Sequence, residues 1–127
     1  MPFSDERRPV LVVDDDPDIR EAIQDTLEQD GYLVMVARDG REALAFLETH
    51  APPALILLDW NMAPMNAEEF MEEFSKDARF NQVPVILVTA DVRANEKAGL
   101  GFAGMLKKPM KLEALFEVVS RYAAKGS

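Results

Sequence analysis

Four short stretches of this sequence carry side chains that could act together on one charged group. Three adjacent acids, Asp14, Asp15 and Asp16, follow the apolar run Val10 to Val13, and Asp59 follows Leu55 to Leu58. Thr89 follows Val85 to Val88, and Lys107 and Lys108 precede Pro109. Carboxylates brought close together repel one another. Two like charges about 4 Å apart cost roughly 1–4 kcal/mol between the dielectric of water and that of a protein surface. A divalent cation or an ammonium group relieves that cost. Oxygen donors without His or Cys suit a hard ion, and a few carboxylates that leave room for water suit Mg²⁺. A carboxylate on a separate strand, with Lys and Thr opposite, suits phosphoryl transfer. Lys and Mg²⁺ would neutralise the phosphoryl oxygens and Thr would donate to them, while the carboxylate acts as a covalent nucleophile.

Such a site needs elements that end at one edge. Val10 to Val13, Leu55 to Leu58 and Val85 to Val88 lack in/out alternation, which predicts strands covered on both faces. Leu33 to Ala37 and Ala103 to Lys107 are weaker strand candidates. Asp16 is read as a helix cap ahead of Pro17 and is left out of the site. Ile19, Ala22, Ile23 and Leu27 fall on one helical face, and Gly31 supplies a stop. Asp39 with Glu42, and Asn66 with Glu69, resemble capping boxes. Ala43, Leu44 and Leu47 are expected inward on the second helix, and Phe70, Met71 and Phe74 on the third. Leu112, Leu115, Phe116 and Val119 are expected on the buried side of the last. A short or mobile fourth helix is expected over Asp91 to Ala98, before a glycine-rich stretch. Five strands alternating with five helices predict a doubly wound α/β domain with a parallel sheet. In such a sheet ligands bind beyond the carboxyl ends of the strands, where all four stretches lie.

Composition narrows the function. With 127 residues, 48% hydrophobic and 29% charged, the chain is sized and composed as one globular domain, its core about 9–123. The net charge of −9 argues against nucleic acid or an anionic membrane as a direct partner. The absence of Cys and the single His exclude thiol chemistry and a multi-histidine zinc site. No apolar run approaches a membrane span, and a cytoplasmic setting is expected. His50 reads as a residue at a helix C-terminus, Trp60 as a partly exposed loop residue, and Met62 and Met65 as loop and core filler.

Val12-Val13-Asp14-Asp15-Asp16, Leu58-Asp59-Trp60-Asn61-Met62, Val88-Thr89-Ala90 and Lys108-Pro109 resemble the motifs of two-component response-regulator receiver domains. The resemblance extends over Pro9 to Ala123 and implies strand order 2-1-3-4-5. It implies that Asp59 accepts a phosphoryl group from a histidine kinase or phosphotransfer protein. Asp15, Asp59 and the Asn61 main-chain carbonyl would ligate Mg²⁺, with Asp14 helping through water. Thr89 and Lys108 would hold the phosphoryl oxygens, and the Lys108–Pro109 peptide would be cis. Asn61 and Asp91 occupy positions that tune hydrolysis in that family. The implied protein is a signalling switch with an unnamed downstream partner, not a turnover enzyme.

The sequence also departs from the family pattern. Ala63 precedes Pro64 where proline is usual one position earlier, and Ala67 stands where glycine is usual, so altered loop geometry is expected after Asp59. Met105 replaces the signalling aromatic, and the segment from Thr89 to Lys108 is short by about one helical turn or slightly less. A thioether cannot reproduce a rotating ring with a hydroxyl, so a non-standard output face is expected. Three other readings compete. A pseudo-receiver would bind partners without phosphorylation. A haloacid-dehalogenase-like phosphatase would need Thr or Val where Asp18 stands. A flavodoxin-like electron carrier would place a flavin phosphate against three acids.

Overall fold

The computed structural model describes residues 8–90 and 101–125. Five parallel strands form one sheet: β1 (Val10–Val13), β2 (Val34–Ala37), β3 (Leu55–Asp59), β4 (Val85–Thr89) and β5 (Gly104–Lys107). Their order is β2-β1-β3-β4-β5, as the receiver resemblance implies. Four α-helices are found among the described residues: α1 (Pro17–Gln29), α2 (Gly40–Thr49), α3 (Ala67–Phe74) and α4 (Leu112–Tyr122). The helix expected over Asp91 to Ala98 lies outside the described residues, and Ala78–Phe80 forms a single 3₁₀ turn.

The apolar runs are explained by burial on both faces. Leu11, Val13, Ile56 and Leu58 point to a core that includes Ala43, Leu47, Phe70 and Phe74 of α2 and α3. Val10, Val12, Leu55 and Leu57 point the other way, to Ile23 and Leu27 of α1 and to Leu115 and Val119 of α4. Alternate residues of one strand thus fill two cores, which is why no polar position interrupts them. The edge strands differ: Met35 on β2 and Met105 on β5 are each 37% exposed.

The helix ends follow their capping residues. Asp16 accepts from the amides of Asp18 and Ile19, and Pro17 occupies the first helical position. Gly31 adopts φ 95° just beyond the α1 cap, a backbone state that favours glycine. Asn66 and Glu69 form a reciprocal capping box on α3. The box expected at α2 is only half made. Asp39 accepts from the Glu42 amide, but Glu42 bonds the Arg38 amide and guanidinium instead of reaching back to Asp39. Two positions expected inward are exposed, Ala22 on α1 and Leu112 on α4, the latter at 59%.

Candidate phosphoacceptor site

β1 lies between β2 and β3, so the chain leaves it in one direction and returns on its other side. That reversal opens a crevice beyond the carboxyl ends of β1 and β3. The register places Val13 beside Leu58, so Asp14 and Asp59 each come one residue past a paired position. Asp14 is 2% exposed and Asp59 3%, whereas Asp15 is exposed. One carboxylate oxygen from each of the three lies within 4.8 Å of the others.

Lys108 closes the other side. Its Nζ donates to Asp59 Oδ1 at 3.0 Å and stands 3.7 Å from Asp14 Oδ2. The Lys108 amide donates to the Thr89 carbonyl at 2.9 Å, which ties the β5 exit to the end of β4, and the Lys108–Pro109 peptide is cis. Thr89 is wholly buried at that end of β4, while Lys107 is exposed, as expected of a solvated neighbour. Asn61 is exposed, and its amide donates to Asp59 Oδ1 at 3.4 Å. Asp91 lies outside the described residues. The loop after Asp59 buries Met62 and carries a cis Ala63–Pro64 peptide. His50 is exposed beyond α2, stacked on Phe46, and takes no part in the site.

The electrostatics follow from this crowding. Burial pushes Asp14 up from its ordinary value to about 6, and the neighbouring Asp59 and Asp15 charges add to the rise. The Asp16 amide and Lys108 oppose it. Burial of the Lys108 ammonium pulls its pKa down, but the Asp59 hydrogen bond and the Asp14 charge outweigh this, and the net shift is upward. A cluster of three carboxylates, all oxygen and open on the Asp15 side, fits a hard divalent cation. Sequence reasoning missed Arg20, whose Nη1 donates to the Asp14 carbonyl at 2.8 Å. Its position six residues along, inside a helix, carries no motif.

Comparison with known proteins identifies relatives of this chain. The family model described as response regulator receiver domain matches residues 10–120. The chemotaxis protein CheY1 of Helicobacter pylori is 34% identical over 114 residues, covering 85% of this chain and 90% of that protein. The response regulator Rre1 of Synechocystis is 32% identical over 120 residues, covering 91% of this chain and 52% of that one. Among solved structures, the chemotaxis response regulator CheY4 of Vibrio cholerae superposes with a TM-score of 0.82 at 32% identity, covering 90% of this chain and 97% of that chain.

Proposed function

Since this chain belongs to the response regulator receiver domain family of two-component phosphorelay signalling, we propose that Asp59 is its phosphoryl acceptor and that its acid cluster holds Mg²⁺. The supporting observation is the meeting of Asp14, Asp15 and Asp59 oxygens within 4.8 Å, with the Lys108 ammonium 3.0 Å from Asp59. Asp14, Asp15, Asp59 and the Asn61 main-chain carbonyl are the residues that would hold the ion. When bound, Mg²⁺ supplies positive charge to the phosphoryl oxygens.

The rest of the chemistry belongs to the chain. An Asp59 carboxylate oxygen attacks phosphorus as the bond from phosphorus to the donor's histidine nitrogen breaks, and that electron pair leaves on the imidazole. Lys108, already bonded to Asp59, passes a hydrogen bond to a phosphoryl oxygen, and the Thr89 hydroxyl donates to another. Water later cleaves the acyl phosphate, restoring the carboxylate and releasing phosphate. The partners are a histidine kinase or phosphotransfer protein and a downstream protein, in the cytoplasm. Residues 9–123 form the core of one receiver unit. Among the described residues no helix is long and apolar enough to cross a membrane.

Acetyl phosphate with Mg²⁺ tests this reading. Intact mass is expected to rise by one phosphoryl group, peptide mapping to place it on Asp59, and Asp59→Asn to abolish it. A label that persists in that variant, or maps to Asp14, refutes the assignment.

A further inference from the structure

We propose that Arg20 is a positioning residue for the metal-holding acids, fixing the Asp14–Asp15 peptide so that the Asp15 carboxylate stays turned toward Asp59. The inference rests on the Mg²⁺ reading above. At the joint between β1 and α1 the sheet ladder has ended and the helix has not begun, so the backbone groups there need other partners. The Asp14 amide donates to the Ala37 carbonyl at 3.1 Å, and the Asp14 Oδ1 accepts from the Asp16 amide at 2.9 Å. The Asp14 carbonyl is taken by Arg20 Nη1 at 2.8 Å, a charged donor on a partly buried side chain.

Asp15 hangs between these anchors. Its side chain is exposed, and among the described residues no hydrogen bond holds its carboxylate. Its direction is therefore inherited from the peptide plane that precedes it. That plane contains the carbonyl that Arg20 grips. Rotating the plane would swing the Asp15 oxygen out of the 4.8 Å cluster, although Asp15 itself had not been touched.

Positioning and simple charge make opposite predictions. A guanidinium held on the Asp14 carbonyl competes electrostatically with a cation bound nearby, so removing it by charge alone would tighten Mg²⁺ binding. Losing its grip on the peptide weakens binding, as removal of groups that orient metal ligands does, by tenfold or more. Calorimetric titration of MgCl₂ into the full chain at pH 8 separates the two. Arg20→Met is expected to weaken Mg²⁺ binding about tenfold, with the metal-free melting temperature little changed. Arg20→Lys, which keeps a charged donor, is expected to recover part of that loss. Equal or tighter binding by folded Arg20→Met overturns the proposal, as does equal loss in the Lys and Met variants. If circular dichroism shows Arg20→Met unfolded, Arg20→Gln is read by the same criteria. A wild-type chain that takes up no Mg²⁺ sinks the metal reading together with this one. Wild-type uptake with an unaltered Arg20→Met sinks this one alone.

Discussion

Asp14 carries the clearest energetic signature of the site. Its folded pKa of about 6 lies above the ordinary carboxylate value, so the folded chain holds a proton that the unfolded chain has already released. Metal-free stability therefore falls as pH rises from about 4 to about 6 on account of this group, and the full penalty is present above the folded value. Asp14→Asn removes the penalty. Chemical denaturation without Mg²⁺ at pH 7.5 is expected to show that variant more stable by roughly 1–3 kcal/mol, and less stability would contradict the electrostatic account. The same proton links pH to metal uptake. Titrations at pH 6 in two buffers of different ionisation enthalpy are expected to show release of about half a proton per Mg²⁺, falling toward none at pH 8.

At the scale of elements, the loop that leaves Asp59 is anchored by the start of α3. The Asn66 side chain accepts from the Glu69 amide at 2.8 Å, and Glu69 accepts from the Asn66 amide at 3.1 Å. Asn66→Ala is expected to cost about 1 kcal/mol in urea unfolding, a loss of one cap, with phosphorylation by acetyl phosphate retained. That box was legible in the sequence because both partners lie within one turn. The central strands were legible because two cores demand unbroken apolar runs, and the acid pocket because strand ends converge wherever a sheet is parallel. Ala22 and Leu112 were misjudged for one shared reason. Both line a shallow apolar groove of about 320 Å³, with Ile19 and Met110, where α1 and the start of α4 do not close over each other. Periodicity assigns a face to each helix, but how closely two helices approach depends on distant packing. Arg20 was invisible for a related reason, since its partner is a backbone carbonyl and no side-chain motif records it.

Across the whole molecule, the site exists only when the sheet does. Its acids come from just past β1 and from the end of β3, and its ammonium from just past β5, so the unfolded chain has no comparable cluster. Binding restricted to the folded state stabilises it by mass action, about 2.7 kcal/mol when free Mg²⁺ is 100 times its dissociation constant. For a domain of this size that corresponds to a rise in melting temperature of roughly 10 °C. A net charge of −9 offers a competing explanation, because any salt would ease self-repulsion among so many acids. Screening depends on ionic strength, whereas site binding depends on the ion. Melting in MgCl₂ is therefore to be compared with NaCl at matched ionic strength. A larger rise in MgCl₂ is expected for the wild-type chain, and the excess is expected to shrink in Asp15→Asn, which removes one cluster oxygen charge at an exposed position. Equal rises in the two salts would mean that the acids repel one another without forming a specific cation site.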